Sequence, residues 1–271
     1  MHNRLSVNHY ICGEGVSFPV FAESAAQAGL SAVGLSRAAV EEMGVAALRR
    51  CLADHGLGVS SLNSVGYFTD ADRVSVDRGN LMLIEAAAEL DADVLCVICG
   101  GLGVPPMPLE QGHALVRDGF DALARRAEQE GVRLGVEPIH PMDIGTKGCV
   151  NSVAQARALI DGYPSAGLIL DFYHSWWDPD MTAIIRDFPD DVVLVQLCNI
   201  RMDTGVPVGR ETLAAGDIDV GAHLHAVLEA GYRGIFELEI FAKDIPGRDP
   251  MKIVAGFPAD ISATMPAEKD I

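Results

Sequence analysis

Short apolar runs alternate with longer segments in which apolar residues return every three or four positions, and the alternation persists from one end of the chain to the other. The short runs at residues 5–8, 32–35, 58–63, 94–99, 133–137, 167–171, 192–197 and 234–240 are almost continuously apolar, the pattern of parallel strands covered on both faces. Between them, residues 40–55, 79–90, 111–129, 152–160, 181–187 and 220–230 carry helical periodicity; Val40, Met43, Leu48 and Leu52 form one such stripe. Gly29, Gly56, Gly131 and Gly231 stand where a helix must stop before the next strand, positions that favour a left-handed residue. Eight strand–helix units predict a closed (β/α)8 barrel, an α/β fold of TIM-barrel type. The alternative, an open doubly wound sheet, lacks the Gly-x-Gly-x-x-Gly turn after its first strand. Residues 201–216 read as a long connection without periodicity, and a last short helix is expected near 251–256.

At 271 residues the chain fits one such barrel, so 1–271 is read as a single domain, with a tail from about 257 that is extended or meets a second copy of the chain. The formal net charge of −18 repels phosphate backbones and anionic lipid, which argues against nucleic-acid and membrane partners and leaves a small-molecule substrate. No apolar signal core opens the chain and no apolar stretch reaches membrane-spanning length, so a cytoplasmic location is expected. Cys96 and Cys99 have zinc-like spacing, but they lie within one strand-like run and no second pair completes a tetrahedral set. They read as buried thiols.

Active sites of these barrels lie at the C-terminal ends of the strands. The last four strands end in, or contain near their ends, Glu137, Asp171, Gln196 and Glu239. Carboxylates in an apolar cup are strongly disfavoured unless something positive offsets them, and these strands supply no Lys or Arg at that level. A divalent metal ion is the simplest counter-charge. Hard oxygen donors suit Mn or Mg, with Co or Zn as alternatives. His174, three residues past Asp171, is the candidate separate acid/base. His140, Trp176, Asn199, Arg201 and Arg210 are candidate substrate contacts, the two arginines as clamps for a carboxylate or phosphate. Glu237 shares a strand face with Glu239 and reads as a supporting residue.

The stretches Val136-Glu137-Pro138-Ile139-His140-Pro141, Leu170-Asp171-Phe172-Tyr173-His174, Gly216-Asp217-Ile218-Asp219 and Gly231-Tyr232-Arg233-Gly234 through Phe241 resemble the xylose isomerase-like superfamily, the sugar phosphate isomerase/epimerase group. That resemblance implies a TIM barrel holding a metal on Glu, Asp, His and Glu. Glu137, Asp171 and Glu239 match, and the resemblance makes Glu137 and Glu239 ligands that also shuttle protons. Gln196 departs from the usual His and is similar to the 3-dehydroshikimate dehydratase-like members. Another departure is Ala214-Ala215-Gly216, where many members carry Gly-x-Gly. The resemblance implies first a metal-dependent isomerase or epimerase of a keto-sugar or related polyol, by proton abstraction beside a metal-bound carbonyl. A lyase or dehydratase acting on a cyclic keto-polyol is the alternative.

Overall fold

A computed structural model describes residues 4–265. Ten strands form: β1 (Leu5–Asn8), β2 (Ala32–Ser36), β3 (Gly58–Gly66), β4 (Leu95–Ile98), β5 (Leu134–Val136), β6 (Ala166–Asp171), β7 (Val192–Leu197), β8 (Asn199–Asp203), β9 (Val206–Glu211) and β10 (Phe236–Leu238). Eight of them close a parallel barrel in the order β1-β10-β7-β6-β5-β4-β3-β2, with β1 hydrogen-bonded to both β2 and β10. The (β/α)8 expectation holds. The remaining pair, β8 and β9, is an antiparallel hairpin in the connection after β7. The sequence reading left that connection structureless, because alternating Val206, Val208 and Arg210 around Thr204-Gly205 is too short a period-two signal beside a barrel strand.

Helical boundaries shift for identifiable reasons. The single helix expected over 40–55 is two, Arg37–Met43 and Val45–His55, broken at Gly44, whose φ of 74° lies in the region glycine tolerates. A helix over Phe18–Gln27, which the periodicity reading passed over, buries Phe18, Phe21, Ala22 and Ala25. The last helix runs Pro250–Thr264 and includes Pro258, a residue that reads as a breaker; Phe257 and Ile261 bury one face of it. The tail expected from about 257 is thus helical as far as Thr264, and residues 266–271 lie outside the described part. Among the described residues no helix is long and apolar enough to cross a membrane.

Most of the apolar core lies between barrel and helices, where Leu5, Val7, Val136, Leu168, Leu170, Phe236 and Leu238 face outward from the strands. The lumen is different on its two sides. Val94, Cys96, Ile98, Ile169 and Leu194 pack as a separate apolar cluster on the side of β4, β6 and β7. On the side of β1, β3 and β10 it is filled by Ser6, Asn8, Ser60, Ser61 and Glu237, all buried. Such an interior leaves the metal-type residues above a floor that is half apolar and half hydrogen-bonded.

His9 caps the β1 end of the barrel. Its ring sits 5.3 Å from each of Phe18 and Phe21, and burial lowers its pKa from 6.5 to about 4. The folded protein keeps this imidazole neutral, so the unfolded chain binds the extra proton first as pH falls. Stability from this group is complete above about pH 6.5 and is lost towards pH 4, by roughly 3 kcal/mol. We expect His9→Phe, which keeps a ring between Phe18 and Phe21, to flatten the pH dependence of urea-unfolding free energy between pH 6.5 and 4 by about that amount. An unchanged slope would place the acid sensitivity elsewhere.

Candidate metal centre

The C-terminal ends of four strands bring Glu137, Asp171, Gln196 and Glu239 to the same end of the lumen, all buried. Asp171 ends β6 and caps the short helix Phe172–Ser175; its Oδ1 accepts from the Tyr173 N–H at 2.9 Å, leaving Oδ2 for the centre. The same turn delivers His174, whose Nε2 lies 3.6 Å from Glu137 Oε1 and 3.8 Å from Asp171 Oδ2. Glu137, Asp171 and His174 present ligand atoms within 4.8 Å of one another, a cluster capable of coordinating a metal ion. Cys96 on β4 donates its thiol to Glu137 Oε2 at 3.2 Å. Gln196 on β7 donates from Nε2 to Glu237 Oε1 at 3.0 Å and to Glu239 Oε1 at 3.1 Å.

Two basic groups reach the centre from the connections between barrel strands, which corrects the expectation that none stands at this level. Arg210, at the base of the hairpin, donates to Asp171 Oδ2 and, at 2.9 Å, to Glu239 Oε2. Its guanidinium is sandwiched between Tyr173 and Phe241 at 4.4 and 4.5 Å. Lys147, in the connection after β5, places Nζ 2.9 Å from His174 Nε2. Formally, the carboxylates of Glu137, Asp171, Glu237 and Glu239 face one guanidinium and one ammonium, an excess of two negative charges. Burial raises the pKa of Glu137, and raises that of Glu239 further above the ordinary range despite Arg210 beside it. Burial also lowers the pKa of His174 well below its usual value, with Lys147, Arg210 and His140 acting in the same sense.

Whether these residues suit a cation can be tested on their hydrogen bonds. Among the described residues, two buried oxygens that can only accept have no donor: Glu137 Oε1 and Gln196 Oε1. Both belong to the set expected to ligate. A divalent ion held by the Glu137, Asp171 and His174 cluster would offset the charge excess and the missing donor at Glu137 Oε1. The residues fit the ion.

The other expected contacts divide. His140 is half-buried; its N–H donates to His174 Nδ1 at 3.1 Å and its ring meets Trp177 edge-on. Trp177 donates to the His174 carbonyl at 2.8 Å, while Trp176 is half-buried with its indole N–H unpartnered. Arg210 is no exposed clamp but a buried partner of Asp171 and Glu239. Arg201 engages Glu211 of its own hairpin and the Asp244 carbonyl, so it does not reach the centre. Asn199 is held by the loop: Nδ2 donates to the Leu213 carbonyl, and Oδ1 accepts from the Ile200 and Ile218 N–H groups. Alternation along an ideal strand aimed Asn199 at substrate, but β7 ends at Leu197 and the side is not carried across the break. Lys147 was not anticipated, although it is the first of only four lysines in the chain.

The chain matches the family described as Xylose isomerase-like TIM barrel over residues 22–258 and belongs to that family. A 3-dehydroshikimate dehydratase of Pseudomonas putida KT2440 is 26% identical over 206 residues, which cover 72% of this chain and 31% of that protein. The chain thus spans about a third of the length of that curated relative. Among solved structures, protein SMc04130 from Sinorhizobium meliloti 1021 superposes with a TM-score of 0.88 at 26% identity, covering 98% of this chain and 100% of that one. A xylose isomerase-like TIM barrel/4-hydroxyphenylpyruvate dioxygenase fusion protein gives 0.77 at 21% identity, covering 97% of this chain and 43% of that one.

Removing one carboxylate should empty the centre without unfolding the barrel. For Glu239→Gln we expect Mn(II) binding, measured by calorimetry, to weaken more than about a hundredfold, with an unchanged far-ultraviolet circular dichroism spectrum. Undiminished Mn(II) uptake by this variant would count against the centre.

Proposed function

We propose that the chain is a metal-dependent dehydratase of a cyclic keto-polyol, similar in chemistry to the 3-dehydroshikimate dehydratase it resembles, and that its barrel is a single catalytic domain. The observation that carries this reading is the one-sided supply of proton-handling groups. Glu239 has both oxygens engaged, Oε1 by Gln196 and Oε2 by Arg210, so it is not free to act as a base. His174 and Lys147 lie together beside Glu137. An epimerase that inverts a stereocentre with two bases needs a second free base across the substrate. An elimination does not. Gln196 and the dehydratase relative support the same choice, which reverses the order in which the sequence placed the two activities.

Glu137, Asp171, Gln196 and Glu239 would hold the divalent cation, Mn or Mg. Bound there, the cation supplies Lewis acidity that polarises a ketone oxygen and acidifies the adjacent C–H. The remaining work falls to the chain. The backbone N–H of His140 donates to His174 Nδ1, so the single N–H of the neutral ring lies on Nε2, the atom facing the carboxylates and Lys147. Burial holds that imidazole neutral, so it acts as the acid: its Nε2–H goes to the departing β-hydroxyl, which leaves as water. The Glu137 carboxylate takes the α-proton and, with Oε1 3.6 Å from Nε2, returns it to His174. Arg210 fixes the Asp171 and Glu239 carboxylates throughout.

The test incubates purified protein and MnCl2 with 3-dehydroshikimate and with a panel of keto-sugars in heavy water. We expect loss of water from the cyclic keto-acid, followed by ultraviolet absorbance of the aromatic product. His174→Asn should lower kcat about a hundredfold or more. Solvent deuterium entering a keto-sugar with its skeleton retained, and no water lost from any substrate, would favour the isomerase or epimerase instead.

A further inference from the structure

We infer that Glu237 is a positioning residue that sets the amide of Gln196 with its oxygen towards the metal, and that the polar floor of the lumen exists to hold Glu237. This rests on the reading of Gln196 as a ligand. Glu237 is fully buried on β10, two residues before Glu239, and among the described residues no Lys or Arg pairs with it. Neutral donors surround it instead. Asn8 Nδ2 donates to Oε1 at 2.9 Å, Ser60 to Oε2 at 2.6 Å, and Ser61 reaches both oxygens at 3.0 and 2.9 Å. Ser6 lies 3.5 Å from Oε2, and Gln196 Nε2 completes the set at 3.0 Å. These donors come from β1, β3 and β7, while β2 makes room: a Cβ on Gly34 would lie 2.5 Å from Glu237 Oε2 and 2.7 Å from Asn8 Nδ2.

Such a shell is a costly replacement for an apolar barrel layer, and its one contact with the metal-type residues is Gln196. An amide has two N–H bonds, and here each meets a carboxylate, Glu237 below and Glu239 beside it. The flipped amide would set its oxygen against both anions. Chemistry therefore fixes the orientation, and Oε1 is left buried without a donor. A neutral histidine at this position has one N–H for the two acceptors. The Glu237–Glu239 pair thus matches glutamine at 196.

The experiment is a double-mutant cycle on the purified 271-residue chain, reading the Mn(II) dissociation constant by calorimetry and the melting temperature in EDTA. Glu237→Gln is isosteric and removes the acceptor that orients the amide. Ser61→Ala leaves the charge of Glu237 in place but loosens it, and carries the same cycle should Glu237→Gln not fold. In the Gln196 background we expect either change to weaken Mn(II) binding about tenfold to a hundredfold; in Gln196→Ala we expect less than about threefold. Equal losses in both backgrounds would mean that Glu237 acts through its charge alone, and would overturn the inference with the metal site intact. Unchanged Mn(II) affinity with a shifted melting temperature would also overturn it, as a purely structural role. Absence of Mn(II) binding by the unaltered protein would defeat the metal reading itself and this inference with it.

Discussion

The structure depends on how four carboxylates are kept in a water-poor lumen. Desolvating each ionised group costs several kcal/mol, on the order of the net stability of a domain, so each needs its own means of compensation. Glu237 is surrounded by hydroxyl and amide donors. Asp171 and Glu239 share Arg210. Glu137 has a thiol on one oxygen and no hydrogen-bond donor on the other. Compensation is therefore graded across the lumen, complete at the floor and incomplete at the rim. The incomplete part is where a cation fits.

Arg210 explains why a hairpin interrupts the barrel after β7. A barrel loop of ordinary length could not carry an arginine back over the strand ends and also hold it there. The antiparallel pairing of β8 with β9 does both, and Tyr173 and Phe241 flank the guanidinium so that its charge is stabilised by ring faces as well as carboxylates. Asn199 and Asp217 tie the hairpin down through backbone N–H groups of Ile200, Ile218 and Met202. Asn199, expected as a substrate contact, is thereby hydrogen-bonded within the connection itself.

The parts of the fold and site that were legible share one property: they are written in local periodicity. All eight barrel strands were visible as apolar runs, and Glu137, Asp171 and Glu239 were visible because a polar residue ends each run. Groups that arrive from connections were harder to read. Arg210 was legible as a clamp for a carboxylate but not as the partner of Asp171 and Glu239, since nothing within 201–216 announces that Val206 to Glu211 pairs back onto Asn199 to Asp203. Lys147 lies ten residues beyond Glu137 in a stretch that holds two Pro and two Gly, where spacing carries no information about direction. Asn199 illustrates the converse error, a period-two rule extended past the strand that justified it.

Compensation also bears on proton transfer, because a carboxylate that is fully hydrogen-bonded is a poor base. Glu239 and Glu237 have donors on both oxygens, and Arg210 is a permanent cation that can stabilise developing charge but not accept a proton. That leaves Glu137 Oε1 and the His174–Lys147 pair, all clustered around the ends of β5 and β6. A substrate whose α-proton and leaving hydroxyl face the same side of a ring would meet all of these groups. A substrate that must be reprotonated from the opposite face would not.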